Sequence, residues 1–438
     1  MSPAGASNSR PSLFAFLKKS LRGLGPGLIT GASDDDPSGI ATYSQVGAQF
    51  GLQMLWVMLF TFPLMSAVQQ ISARIGRVTG HGISYALCRH TSSWIWAPLI
   101  FLLFAANTVN IGADLGAMGD SLRLLMGGRR EFWILAVGLL SIVTEVLIPY
   151  HLFVKFLKWS TVALFAYVAT AFVVKCPWRS AFYHTVWPHI SLTPGFLTAL
   201  TAILGTTLSP YLLFWQASEE VDELELHSEQ GPLKRRPKEA DQELSRIAAD
   251  TNIGMIFSNA IAWFVVLTAA AVLHASGHTN IQTSEQAAQA LTPLAGRFST
   301  LLFAMGIVGT GFLAIPVLAG SAAFAMGEAF RWTVGLERRP REAKGFYAVL
   351  ALATTVGLVL NALQLNPITA LIWAAVLNAI AMGPVLIAIM LLSSNRQIMG
   401  RLTLPPLLKG LGWLTTAVMV LSVLGWGWIT LRPTSPHA

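Results

Sequence analysis

Apolar runs of about 20 residues, each long enough for a helix to cross a bilayer core, recur along the chain between short polar stretches. The pattern predicts eleven spans, near 24–49, 52–73, 95–119, 132–149, 153–174, 194–217, 248–274, 298–327, 346–363, 367–392 and 410–430. Two of these spans are interrupted. The first is apolar from Leu24 to Ile29, stops over Ser33–Gly39 within GASDDDPSGIATYSQ, and resumes at Ile40. The sixth, FLTALTAILGTTLSPYLLFWQAS, is apolar except around Gly205–Pro210. Pro37 and Pro210 have no backbone donor and crowd the preceding turn, so each should break its helix. Non-helical backbone at membrane depth is tolerated only where it is buried in protein or lines a wet cavity. Two Gly/Pro-interrupted spans five apart point to a five-plus-five inverted repeat, with a substrate held near the midplane between the breaks.

Composition supports this all-α polytopic reading. The 438 residues are 54% hydrophobic and 11% charged, with a mean hydropathy of +0.58, whereas soluble domains carry about a quarter charged residues. The polar start, MSPAGASNSRPS, predicts no cleavable signal peptide, so the first span should act as the insertion signal. The net charge of +8 tracks topology. With a cytoplasmic N-terminus, 22 of the 29 Lys and Arg fall on the inner side. The positive-inside rule then puts the C-terminus outside, in what should be a bacterial inner membrane. Nucleic acid is excluded as a partner. The expected organisation is a cytoplasmic tail (1–23) and one transmembrane domain (24–430). That domain comprises repeats near 24–174 and 194–392 and an extra helix near 410–430, with a solvated cytoplasmic loop at 219–247. Cys88 and Cys176 fall on opposite faces, so no disulfide is expected, and no Cys/His metal spacing occurs. No nucleophile–base constellation or cofactor motif suggests an enzyme.

The acids of the first break need their own explanation. Asp36-Pro37 reads as a helix start, with an aspartate N-cap and proline at the first helical position. That leaves Asp34 and Asp35, each costing a few kcal/mol if unpaired at the bilayer centre. Starting the span later leaves too few residues before Gln53, and an EF-hand lacks its alternating acids and closing glutamate. A cation site accounts for them better. The breaks offer oxygen only: the carboxylates of Asp34, Asp35 and Asp36, the hydroxyls of Ser38, Thr206, Thr207 and Ser209, and freed carbonyls. Such surroundings suit Mg²⁺, Mn²⁺ or Ca²⁺. Asp114, inside the third span, is the proton-relay candidate, with a buried acid capped by Asn110 as the alternative.

Asp36-Pro37-Ser38-Gly39-Ile40-Ala41-Thr42, followed by Gly47-Ala48-Gln49-Phe50-Gly51, resembles the D-P-G-N-F-A-T and G-A-Q-F-G signature of the Nramp (natural-resistance-associated macrophage protein) family of divalent-metal transporters. The resemblance covers almost the whole chain and implies a LeuT-type inverted repeat plus one helix; no cofactor is expected, and a monomer is the expected unit. It places the family's metal-binding aspartate on Asp36 and its asparagine on Gly39. The sixth-span pattern A-x-x-M-P-H falls on Thr206 to Tyr211, so Thr206 and Ser209 take ligand positions, Ser209 replaces the methionine and Tyr211 the histidine. Asp34, Asp35, Ser38, Thr207 and Tyr211 are secondary or vestibule candidates. Of two acids expected in the third span Asp114 remains, with Ala117 at the other position, and the arginines of the ninth span are missing from Phe346–Leu363. The family implies Mn²⁺ or Fe²⁺ as cargo and H⁺ as coupling ion, whereas the absent methionine leans toward Mg²⁺ or broader selectivity. The alternative is a LeuT-type carrier of an amino acid or other small organic substrate, whose carboxylate three aspartates would repel.

Overall fold

A computed structural model describes residues 26–147, 160–226, 231–336 and 338–431. The tail at 1–23 and the start of the fifth expected span lie outside the described residues, as does part of the 219–247 loop. The principal helices are α1 (Pro26–Asp34), α2 (Pro37–Phe50), α3 (Leu55–Thr79), α4 (Ile83–His90) and α5 (Ser93–Met126). They continue as α6 (Arg130–Leu147), α7 (Phe165–Val173), α8 (Trp178–Val186), α9 (Pro194–Thr207) and α10 (Pro210–Leu226). The last five are α11 (Ala240–Ala269), α12 (Ser299–Ala329), α13 (Lys344–Leu360), α14 (Pro367–Ser394) and α15 (Pro406–Leu431).

Helix occupies each of the eleven expected positions, with α1–α2 and α9–α10 forming the two broken spans. Among the described residues, eight stretches are long and apolar enough to cross a membrane, or nine when a bent pair is included. The difference has local causes. Pro37–Thr79 is one stretch of 43 residues, joining the second half of the first span to the second span. The α6 helix carries Arg130, Glu131 and Glu145. The fifth span belongs to the bent pair, in which Val162–Val173 and Trp178–Val186 meet at 118°.

Proline sets the helix starts as the sequence predicts. Asp36 caps α2 with extended backbone (φ −73°, ψ 172°) and Pro37 follows as its first residue. Thr193 caps α9 ahead of Pro194, and Asn366 caps α14 ahead of Pro367. Each cap satisfies an amide that the first turn leaves without a partner. Around the breaks the helices meet at small residues, the usual solution where lipid supplies no hydrophobic drive for association. A side chain on Gly31 would run into the backbone of Gly254 on α11, and one on Gly205 into the carbonyl of Ala375 on α14. These two contacts bring α1 against α11 and α9 against α14, enclosing both breaks.

Candidate metal-ion site

Asp36 stands where α1 has ended and α2 begins, and is buried. Its Oδ1 accepts the backbone N–H of Gly39 and the hydroxyl of Ser38, both at 2.7 Å. Its Oδ2 accepts Asn110 Nδ2 of α5 at 3.1 Å and the Tyr211 hydroxyl of α10 at 3.4 Å. The cap and the expected ligand are therefore the same residue. Tyr211 also donates to the Ser33 carbonyl at 3.3 Å, so the second break reaches back to the first.

Gly39 lies one turn into α2, facing the other break. A Cβ built there would sit 3.3 Å from Thr206 Oγ1 and 3.3 Å from the Tyr43 ring, so the missing side chain lets α2 and α9 approach closely. Ser209 is buried and donates to the carbonyls of Gly205 and Thr206, both at 2.9 Å. Thr207 donates to the Ile203 carbonyl. Both hydroxyls thus supply lone pairs, while their protons stay with their own helix.

Asp34 and Asp35 turn the other way. Ser258 of α11 donates to Asp34 Oδ2 at 2.5 Å and lies 3.3 Å from Asp35 Oδ1. Both carboxylates are sealed from solvent, at 0% and 2% exposure, which is no position on an open vestibule wall. Asp114 is also fully buried, within electrostatic reach of Asp36, and neither of its oxygens has a hydrogen-bond partner. Among the described residues no Lys, Arg or His pairs with any of these four acids. Nor do any three of His, Cys, Asp and Glu converge as a closed metal site. An ion at Asp36 would complete its shell with hydroxyl, amide and carbonyl oxygens and with its own waters.

Access is asymmetric. A cavity of about 510 Å³ opens where α2 ends and α9 and α14 begin, lined by Thr42, Gln45, Gln49, Thr198, Gln282 and Asn366 among others. No charged side chain lines it. Toward the other end the path is packed shut. Thr30 donates to Gln216 at 2.5 Å, and Gln216 reaches Glu220 at 3.5 Å. Beyond them Arg77 and Arg246 bind Glu220, Glu223 and Glu243, the tightest contact being Arg77–Glu243 at 2.7 Å. Asp250 accepts the Gly27 amide at 2.8 Å and so ties the first turn of α1 to α11.

The profile described as "Natural resistance-associated macrophage protein-like" matches residues 27–427. The chain belongs to the Nramp family. It is similar to the "Divalent metal cation transporter MntH" of Verminephrobacter eiseniae, 30% identical over 369 residues and covering 80% of each chain. The protein of the same name from Caldanaerobacter subterraneus is 26% identical over 439 residues, covering 96% of each. Among solved structures, a mutant of the Eremococcus coleocola manganese transporter superposes with a TM-score of 0.72 at 17% identity, over 98% of this chain and 92% of that one. Mhp1, a nucleobase-cation-symport-1 family transporter, gives a TM-score of 0.58 at 14% identity over 95% of each chain. These two likenesses show the fold, a LeuT-type five-plus-five arrangement. An Nramp protein is a membrane transporter and not an enzyme, in keeping with the absence of catalytic motifs.

Sequence reasoning did not find two residues of this Nramp site. Ser258 holds Asp34 and Asp35, and its only signal is one hydroxyl in the apolar run MIFSNAIAW. Tyr43 packs one turn beyond Gly39 and gives no signal at all. Asn378 is fully buried on the turn of α14 that meets Gly205. Neither end of its amide has a partner.

Proposed function

We propose that this chain is a secondary transporter of divalent metal ions. The ion enters through the neutral cavity, is held between the two breaks by Asp36, and leaves toward the end closed by Arg77 and Arg246. One observation carries the reading: Asp36 sits at a helix break, buried, among three further carboxylates, and among the described residues no cationic side chain pairs with them. A buried uncompensated carboxylate is costly, and a divalent cation removes that cost. Thr206, Ser209 and carbonyls at the ends of α1 and α9 supply the remaining protein oxygens, with Gly39 beside them in the first turn of α2 and Ser38, Thr207 and Tyr211 as supporting groups. The relatives' printed names point to divalent metals, and one structural neighbour is called a manganese transporter. The donor set contains no sulfur, which favours hard ions such as Mg²⁺ or a broad range over Cd²⁺. Asp114 is the candidate for a coupled proton. We place the N-terminus in the cytoplasm of a bacterial inner membrane by the charge of the loops, and the working unit is a monomer.

An organic-substrate carrier is the second reading, because Mhp1, with bromovinylhydantoin bound in its structure, shares the fold. Four buried acids without a cation would repel a substrate carboxylate. Uptake into proteoliposomes, with Mg²⁺, Mn²⁺, Ca²⁺ and Cd²⁺ competing in turn, decides between the two. Saturable uptake of a divalent ion is expected, with Mg²⁺ an effective competitor. Absence of any divalent-ion uptake or binding would overturn the proposal, and dominance of Cd²⁺ would overturn the hard-ion preference.

A further inference from the structure

A second cavity, of about 390 Å³, lies on the far side of the first turns of α14. Val109 and Ala113 of α5, Leu360 of α13 and Trp373 of α14 make its wall apolar, and one charged side chain, Arg130 at the start of α6, faces it. No acid lines it, and the neighbouring Glu131 is exposed. Arg130 makes one long hydrogen bond, from Nη2 to the Leu365 carbonyl at 3.5 Å. Its Nε is shielded from solvent and has no acceptor. Among the described residues no carboxylate pairs with it, whereas nearby Arg123 is held by Asp120 at 3.0 Å. Gly116 makes the recess possible, since a Cβ there would lie 3.2 Å from Arg130 Nη2 and 2.6 Å from Asn361 Oδ1.

A shielded guanidinium N–H without an acceptor leaves its desolvation uncompensated. The group that best fits the planar fork of a guanidinium is a carboxylate or a phosphate. The lip is apolar, with Leu363, Leu365 and Trp373 more than half exposed, a surface suited to lipid contact in a membrane protein. Trp133, one turn along α6 from Arg130, and Trp373, on the pocket wall, are aromatics of the kind that mark the membrane interface, which points to headgroup depth for the guanidinium. We propose that this pocket binds an anionic phospholipid from the surrounding bilayer. Its phosphate sits on Arg130 and one acyl chain runs along Val109 and Ala113. Asn366, Thr369 and Trp373 line both this pocket and the 510 Å³ cavity, so the lipid braces the partition between them.

Native mass spectrometry of the full chain in detergent, titrated with phosphatidylglycerol and with phosphatidylcholine, tests the assignment. The wild type should retain one phosphatidylglycerol in preference to phosphatidylcholine. Arg130→Gln should weaken phosphatidylglycerol about tenfold, to the phosphatidylcholine level, and Arg130→Lys should restore most of it. Val109→Trp, which fills the apolar slot away from the charge, should weaken both lipids. Arg297→Gln, at an exposed arginine elsewhere, should change neither. The proposal is overturned by equal retention of the two lipids, by unchanged binding in Arg130→Gln, or by an equal loss in Arg297→Gln. Retention of a free fatty acid alone, or of a second copy of the chain through this face, would overturn it as well.

Discussion

Replacing Asp36 with Asn separates the residue's two roles. As an N-cap the amide is nearly equivalent to the carboxylate, because its oxygen can still accept the Gly39 amide and the Ser38 hydroxyl. The other edge changes from acceptor to donor and would oppose Asn110 Nδ2. Asn110 can answer by rotating its side chain, because its own Oδ1 has no partner, and the Tyr211 hydroxyl is free to turn. The net folding cost should therefore stay near the 1 kcal/mol typical of a single hydrogen bond. The loss to the ion is larger. Two unit charges 4 Å apart interact by about 4 kcal/mol at an effective dielectric of about 20, and a divalent ion doubles this to about 8. If the ion's waters and neighbouring dipoles screen all but a quarter, about 2 kcal/mol remains, or roughly thirtyfold in affinity. Thermal unfolding should give a melting temperature within a few degrees of wild type, while calorimetric binding and proteoliposome uptake fall by that factor or more. Wild-type affinity and uptake in a normally folded Asp36→Asn protein would refute the assignment of Asp36 as the ligand.

Three further outcomes follow from the same geometry. Gly39→Asn restores the side chain that the family signature carries there, but its Cβ lands 3.3 Å from Thr206 Oγ1 and from the Tyr43 ring. We expect about 1–3 kcal/mol of destabilisation in thermal melts and a shift of competition uptake from Mg²⁺ toward Mn²⁺; an unchanged ion preference would count against Gly39 facing the ion. Ser209→Met should raise the Cd²⁺ over Mg²⁺ preference about tenfold, roughly 1.4 kcal/mol, and an unchanged ratio with intact transport would show that position 209 is turned from the ion. Cys88, half-buried on α4, has its thiol pushed up to about 11 by burial and by Glu328. It should react with membrane-impermeant thiol reagents from the cytoplasmic side only, about tenfold faster for each unit that pH rises toward that value, and labelling from outside would reverse the topology.

The parts of this architecture that were readable in sequence are those fixed by local chemistry. Pro37 and Pro210 end one helix and start another whatever surrounds them, and the cap at Asp36 needs only the residues that follow it. The eleven apolar runs survive as helices because their length is set by the bilayer. The partners at the site are tertiary and could not be read in the same way. Ser258 meets Asp34 from 224 positions away in sequence. Tyr211 reaches Asp36 because α10 starts beside the first break. The hydroxyl of Ser209 turns to Gly205 and Thr206 because the end of α9 leaves those carbonyls unused. The junction of the first two spans was also hidden, because nothing in Gly51–Met54 shows that helix continues across it.

The departures from the family signature make one physical case when the unpaired atoms around the breaks are considered together. Asp34 Oδ1, Asp35 Oδ2, Asn110 Oδ1, Asn378 Oδ1 and both oxygens of Asp114 are buried acceptors without a partner, alongside three unpaired groups that can donate, Thr206 Oγ1, the Tyr43 hydroxyl and Asn378 Nδ2. They do not converge as a closed set of metal ligands, so a bare ion could bond directly to only a few of them. The waters of a hydrated cation are strong donors, and an ion held at Asp36 would direct them outward to the acceptors that lie near it. Gly39 puts no side-chain amide in competition with these waters, and the absence of a thioether removes a further ligand that would compete with water for the ion. Mg²⁺ dehydrates reluctantly and is commonly held by one or two carboxylates with several waters kept. The approach through a cavity lined by neutral amides is consistent with this, because uncharged oxygens let a hydrated ion pass without trapping it. If the ion is held at Asp36 as proposed, glycine at 39, serine at 209 and the orphaned acceptors would together suit one that keeps its water.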